Sequence, residues 1–344
     1  MREGAGSLRH RTRTVNRALT LDLQICTHIK RLVFALLVLL PATILAGANS
    51  WSLASPDGRC SISVSLSTNG SLSYEVSRAG KSAVLTSPLG LRCDGQSFET
   101  ALTFQRAGSV EKRREVYELF AGVMPHVDHA LNHRTLVFRN ANDAPIAIDL
   151  AASDEGVAFR YRFTEQANDI RVVQAELTGF SIPTDARGWL QPYHAAGPYT
   201  PAYEDFYFNV SPGEPPPDSR AKAMGWAFPA LFNIPNAATW VLLTESGTDG
   251  TYCACHLDPD STGGLYRIAY SLPDEHTHGQ TTYVSANPHS TLPWTMPWRV
   301  IVLGKSASDI ATATFVTDLA PTSRIADTSW IKPGRASWAW WSYP

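Results

Sequence analysis

The sequence predicts a mainly β protein built as a large antiparallel sandwich, and three observations predict it. Ile62, Val64 and Leu66 alternate with Ser61, Ser63 and Ser65, and Leu72, Tyr74 and Val76 alternate again beyond Asn69-Gly70. That is the two-residue period of a half-buried strand on either side of a hairpin turn. Short apolar runs then recur over about 250 residues, with turn residues such as Asp154-Glu155-Gly156 and Gly263-Gly264 between them. No amphipathic helix intervenes, which argues against a βαβ architecture and its parallel sheet. With 44% apolar and 17% charged residues among 344, the chain can bury a real core and is neither disordered nor fibrous.

Residues 1–48 are a different material. Lys30-Arg31 precede a mostly apolar run over 32–45, which ends at Ala46-Gly47-Ala48, the small-x-small pattern of a secretory cleavage site. The run is too short for a comfortable membrane span. The expectation is therefore a signal peptide over 1–48, a periplasmic or secreted mature chain, and no stable membrane span after cleavage. Removing the leader's seven Lys/Arg and two Asp/Glu from totals of 29 and 31 leaves 22 and 29, a net charge of −7. No basic stripe with interleaved aromatics survives, which argues against nucleic acid as a partner.

Export also sets the redox context, because an oxidising compartment permits disulfides. The mature chain holds Cys60, Cys93, Cys253 and Cys255. Pairing of Cys60 with Cys93 is allowed. Cys253 and Cys255, followed by His256, are expected to be structural thiols rather than a metal cluster, in a stretch that reads as a strand.

Further strands are expected at 83–85, 117–120, 135–138, 146–150, 157–163, 171–176, 240–245, 266–270, 281–284 and 298–303, so the sandwich domain covers 49–304. The stretch 183–225, rich in Pro and aromatics and containing Pro215-Pro216-Pro217, is not explained by strand chemistry and reads as a long functional loop. Residues 306–318 place Ile310, Ala313, Phe315 and Val316 at roughly helical spacing, with Ser306 as N-cap near Asp309. They form a helical linker over 305–329. The last stretch, 330–344, reads as a turn and then an apolar strand through Trp338, Trp340 and Trp341. Such a strand needs neighbours on both sides, so a further domain is expected to begin there.

An ordered set of residues resembles glycoside hydrolase family 97. It comprises Ser55-Pro56-Asp57-Gly58, Ser87-Pro88-Leu89-Gly90-Leu91, the run from Asp154-Glu155-Gly156 to Tyr161, Pro297-Trp298-Arg299-Val300, and Asp327 to Gly334 followed by Trp338-Ala339-Trp340-Trp341. The resemblance implies an exported α-glucosidase or α-galactosidase acting on α-linked oligosaccharides. It implies an N-terminal β-supersandwich, a catalytic (β/α)8 barrel and a small C-terminal β domain. This chain corresponds to the supersandwich, the linker and the first strand of a truncated barrel.

Two site residues follow from the resemblance. Glu204, in Tyr203-Glu204-Asp205-Phe206-Tyr207, resembles the glutamate through which the N-terminal domain joins barrel carboxylates around a calcium ion, and carboxylate oxygens suit a hard cation. Trp341 falls at the C-terminal end of the first barrel strand, where active sites of such barrels gather, and is the candidate for stacking on a sugar. The catalytic acid and the second carboxylate that glycoside cleavage requires come from later barrel strands, so no catalytic residue is expected in this chain. His126-Val127-Asp128-His129 and Glu275-His276-Thr277-His278 have ligand-like spacings but read as exposed loop histidines. No Gly-x-Ser-x-Gly elbow, phosphate loop or dinucleotide fingerprint occurs.

Three readings remain at this level. The chain is the inert N-terminal part of an α-glycosidase. It is a stand-alone carbohydrate-binding sandwich using Trp189, Tyr193, Tyr199, Tyr203 and Tyr207 as a platform. Or it is a subunit completed by a separately encoded barrel. The apolar terminal strand favours the first and third.

Overall fold

A computed structural model describes residues 49–195, 205–271 and 287–337. The opening hairpin follows from side-chain alternation. Along Cys60–Leu66 and Leu72–Arg78, Ile62, Val64, Tyr74 and Val76 are buried and the serines between them are half-buried. The connection is not a two-residue turn. Gly70 N–H donates to Ser67 O at 3.0 Å and Ser67 N–H to Ser71 O at 2.9 Å, which leaves three residues in the loop with Gly70 at φ +76°. This is a turn closed by a left-handed glycine. A Cβ on Gly70 would stand 2.4 Å from the Leu102 nitrogen, so the position requires glycine on space as well as on φ.

The nine-stranded sheet runs, in spatial order, Asn49–Ala54, Cys60–Leu66, Leu72–Arg78, Lys81–Leu89, Gly179–Ser181, Leu265–Ala269, His256–Leu257, Ala223–Trp226 and Pro192–His194. The eleven-stranded sheet has as its main path Phe208–Val210, Arg187–Leu190, Ala230–Ile234, Thr239–Ser246, Trp298–Gly304, Gly156–Phe163, Pro145–Ser153, His126–Arg139 and Thr103–Ala107. Trp294–Thr295 and Glu111–Glu118 are added at its side. A small sheet of His289–Thr291, Ile170–Glu176, Leu91–Cys93 and Gln96–Ser97 completes the architecture. All pairings are antiparallel, and one continuous apolar cluster joins the sheets. The sandwich expected from the sequence is therefore present. The barrel expected after residue 330 has no counterpart among the described residues: no strand begins within 330–337, Trp330 is 67% exposed, and Trp338, Trp340 and Trp341 lie outside them.

Two strands at the centre of the larger sheet do not alternate. Trp298–Gly304 is buried at every position and Pro145–Ser153 at all but its first. Their second face is covered by the linker, where Phe315 and Leu319 pack on Leu131, Ala151, Ala158, Trp298, Val300 and Val302. The linker is two short helices, Ala307–Thr312 and Phe315–Asp318, rather than one. Ser306 and Asp309 form the expected capping box at the first. The break has a cause: Glu155 Oε2 accepts the N–H groups of Thr314 and Phe315 at 2.8 and 2.9 Å, and so caps a second helix start. No helix among the described residues is long and apolar enough to cross a membrane.

Other expectations need correction. The strand expected at 117–120 ends at Glu118 and begins at Glu111, since as an exposed side strand it carries charge in place of an apolar period. The stretch 183–225 is not a loop throughout, for it contributes Arg187–Leu190, Pro192–His194, Phe208–Val210 and Ala223–Trp226. The expected strand at 281–284 lies outside the described residues. Cys60 and Cys93 are not bonded: they stand in different sheets as free thiols, and burial pushes them up to about 11 and about 12.

One ion network crosses the core. Arg299, 2% exposed, donates from Nε and Nη2 to the two oxygens of Glu176 at 2.8 and 2.5 Å, and from Nη1 to Glu245 Oε2 at 2.5 Å. Tyr252 OH donates to Glu176 Oε2 at 2.6 Å, and Cys255 N–H donates to Glu245 Oε1 at 3.1 Å. Burial alone would raise the Glu176 carboxyl, but Arg299 and these hydrogen bonds hold it below the usual range. Arg299→Met leaves two carboxylates without their cation and should destabilise the fold by about 3–5 kcal/mol, read from urea unfolding. A depressed carboxyl stabilises above its ordinary pKa and loses that contribution as pH falls, so wild type should also lose more stability on acidification than Glu176→Gln. A change below about 1 kcal/mol in Arg299→Met would contradict the network's role.

Candidate functional site

The end of the nine-stranded sheet gathers the residues on either side of Glu204. Pro192–His194 pairs with Ala223–Trp226 through a bulge, since Pro192 opposes Trp226 while His194 opposes Ala223. Ala195 N–H donates to Lys222 O and Ala227 N–H to Gln191 O, both at 2.8 Å. His194 Nε2 stands 3.0 Å from Asp205 Oδ2, with the two side chains 4% and 1% exposed. Gln191 Nε2 donates to the Asp205 carbonyl at 2.8 Å, Phe206 N–H to Asp205 Oδ1 at 2.7 Å, and the Ser219 hydroxyl to Oδ2. Desolvation pushes the Asp205 carboxyl up, yet the donors Ser219, Phe206 N–H and His194 hold it below the usual range. An ionised Asp205 only accepts, so His194 carries its proton on Nε2. The pair is a clamp that fixes the chain on both sides of the segment containing Glu204.

Glu204 itself lies outside the described residues, as do Tyr199, Tyr203 and Trp341. Its described neighbours do not form a calcium cage, which takes roughly six to eight oxygens. Asp205 is fully engaged, Asp218 accepts from Ala223 N–H at 2.8 Å, and Glu214 accepts from Ser211 N–H at 3.0 Å.

Among the described residues, Trp189, Tyr193 and Tyr207 do not form one aromatic platform. Trp189 stacks on Trp240 at 5.3 Å in the eleven-stranded sheet. Tyr193 is buried in the other sheet, parallel to the His256 ring at 3.9 Å. Burial pushes His256 down to about 4, so two neutral rings meet there. Of the three, Tyr207 is exposed, beside Phe206, which lies under Arg220 at 5.8 Å.

The ligand-like spacing His126-Val127-Asp128-His129 falls on a strand, and alternation splits it. His126 pairs with Glu118 and Asp128 with Arg114, both exposed, whereas His129 turns toward the linker. There His129 Nδ1 is 2.9 Å from Asp318 Oδ2, and Nε2 is 3.9 Å from Glu155 Oε1. Tyr117 OH donates to Asp318 Oδ1 at 2.7 Å. His129, Glu155 and Asp318 bring ligand-type atoms within 4.8 Å of one another. Each ring nitrogen, however, already faces a carboxylate, so the group is an ion triad joining the linker helix to the sheet. The spacing Glu275 to His278 lies outside the described residues.

These features define a β-sandwich domain: two large antiparallel sheets, an edge tied by an ion pair, and a linker locked to the outer face. The profile described as "Glycosyl-hydrolase 97 N-terminal" matches residues 53–321. The chain belongs to glycoside hydrolase family 97 and carries its N-terminal domain. It is 33% identical over 313 residues to a protein named as a probable retaining alpha-galactosidase from Streptomyces bingchenggensis, covering 90% of this chain and 44% of that protein. A crystal structure of a beta-arabinopyranosidase superposes with TM-score 0.67 at 29% identity, over 74% of this chain and 40% of that one. A family 97 enzyme variant from Pseudoalteromonas sp. strain K8 superposes with TM-score 0.68 at 20% identity, over 83% and 40%. The chain thus spans less than half the length of the curated relative it matches.

The triad makes a pH prediction. Burial lowers the His129 pKa, but Asp318 and Glu155 together raise it above its ordinary value, and burial also raises Glu155. A raised histidine stabilises fully below its unfolded pKa and loses that contribution as pH rises through the folded one; a raised carboxyl acts with the same sign. Between about pH 6 and pH 8.5, wild type should lose melting temperature relative to His129→Gln. Parallel pH profiles for the two chains would refute the latch.

Proposed function

We propose that the chain is the N-terminal part of an exported α-glycoside hydrolase, periplasmic or secreted, acting on α-linked oligosaccharides. Of the two specificities the family suggests, α-glucosidase-like and α-galactosidase-like, the name of the Streptomyces relative supports the galactoside. In this reading Glu204 supplies one carboxylate to a calcium site and Trp341 one aromatic face to the sugar. A (β/α)8 barrel, in the same polypeptide or separately encoded, supplies the remaining ligands and both catalytic carboxylates. The observation that carries it is the His194–Asp205 clamp, which anchors the chain next to Glu204.

The division of labour follows from the chemistry. Glycoside cleavage needs one carboxylic acid to protonate the leaving oxygen and one carboxylate as base or nucleophile, flanking the same bond. In this reading neither comes from this chain, so alone it is inert. Calcium, when bound, supplies positive charge beside the sugar; Asp205 and His194 fix the backbone from which Glu204 reaches it. A stand-alone sugar-binding module is the second reading. It is disfavoured because Trp189 and Tyr193 are spent on separate stacks.

The test joins this chain, after Pro344, to the barrel of the Streptomyces relative and measures hydrolysis of p-nitrophenyl α-galactoside. The chain alone should be inactive and the fusion active. Glu204→Gln should weaken calcium dependence by roughly 100-fold, with part of the rate returning at high calcium. A fusion whose rate and calcium dependence are unchanged by Glu204→Gln would remove Glu204 from the site.

A further inference from the structure

A second concavity lies on the outer face of the eleven-stranded sheet, away from the clamp. It encloses about 330 Å³ and is lined by Arg113, Arg134, Arg160 and Arg162 against Glu111 and Asp149, with His133 and Trp298 at its wall. The strand register explains the grouping, because Asp149 opposes both Thr135 and Arg160, and Glu111 opposes His133.

The hydrogen bonds distribute these charges unevenly. Asp149 is satisfied by a two-pronged pair from Arg162, at 2.8 and 2.9 Å, and by Thr135 Oγ1 at 2.8 Å. Arg160 is left with one contact from Nε to Asp149 at 3.4 Å, which is long for a charged pair. Its terminal nitrogens make no hydrogen bond among the described residues. The guanidinium instead lies over the Trp298 ring at 4.2 Å, with His133 edge-on to the same ring at 6.0 Å. Arg134 spends its donors on Gly108 O and Ser52 O. Burial, Arg113 and Arg160 push His133 down to about 4, so it adds no charge. Burial, together with the nearby charges of Arg162 and Arg113, depresses Arg160 below the ordinary arginine value.

A guanidinium that is stacked, half-buried and short of acceptors from the protein is arranged for an acceptor from outside the chain. Stacking fixes its plane; of the four cations, Arg162 pairs with Asp149 and Arg113 Nη2 donates to Glu111 Oε2 at 3.1 Å, so the two anions leave Arg160 and Arg134 without a close carboxylate pair. We propose that this cleft binds a small oxyanion, a phosphate, a sulfate or the carboxylate of an acidic sugar, with Arg160 as the principal donor and Arg113 closing over it. The site is independent of the glycosidase reading, since it needs neither Glu204 nor a barrel.

Isothermal titration of the whole chain with inorganic phosphate, sulfate and galacturonate, with neutral galactose as control, tests this directly. At least one oxyanion should bind saturably, and galactose should not bind at this site. Arg160→Met removes the guanidinium from Trp298 while keeping an apolar side chain of similar length, and should weaken binding at least about tenfold. Arg113→Met, at an exposed position, gives a second variant that leaves the core packing untouched and should weaken it less. Binding of galacturonate alone assigns the cleft to acidic sugars, and binding of phosphate and sulfate assigns it to free anions; both support the site. No saturable heat from any of the three, or equal affinity in wild type and both variants, would overturn it.

Discussion

The structure depends on one buried cation. Arg299 is the point at which the small sheet, through Glu176, and the larger sheet, through Glu245 and its own strand, are tied together across the core. Burying a guanidinium and two carboxylates is expensive unless every donor and acceptor is placed. Here Tyr252, Cys255 N–H and the arginine fork meet that demand. Apolar burial is non-directional and would allow the sheets to slide; the fork does not. The shared network therefore fixes the small sheet against the larger one.

A second, outer layer of order comes from the linker. Glu155 caps the helix Phe315–Asp318, and His129 joins the same glutamate to Asp318. The apolar side chains of Phe315 and Leu319 then cover a sheet face that would otherwise expose Val300 and Val302. The chain leaving the sandwich thus starts from a defined place. The clamp at Asp205 ties the chain at the sheet edge in the same way.

Much of this fold was legible in the sequence, and the failures have physical reasons. The first hairpin could be read because one face is apolar and the other is serine. The strands at 146–150 and 298–303 could be read as strands, but not as doubly buried ones, because the helix covering them closes only in three dimensions. Arg187–Leu190, Pro192–His194 and Phe208–Val210 are too short to display a period. Glu111–Glu118 carries charges where a period would show. Asp205 was adjacent to a named residue yet carried no signal of its own, since its partner His194 lies on a separate strand and its donor Ser219 in a separate loop. The triad links His129 to a carboxylate 189 residues away, beyond any local pattern. Trp189 and Tyr193 were grouped by proximity in sequence, but they enter different sheets.

On the proposed function, the sheet edge around the clamp faces the substrate. Amide hydrogen exchange on the chain joined to a family 97 barrel, with and without calcium and galactose, tests it most directly. The account predicts that ligand-induced protection concentrates in residues 191–207 and leaves the far edge strand Asn49–Ala54 unchanged. Protection at the far edge, with 191–207 exchanging at the same rate in both states, would contradict it.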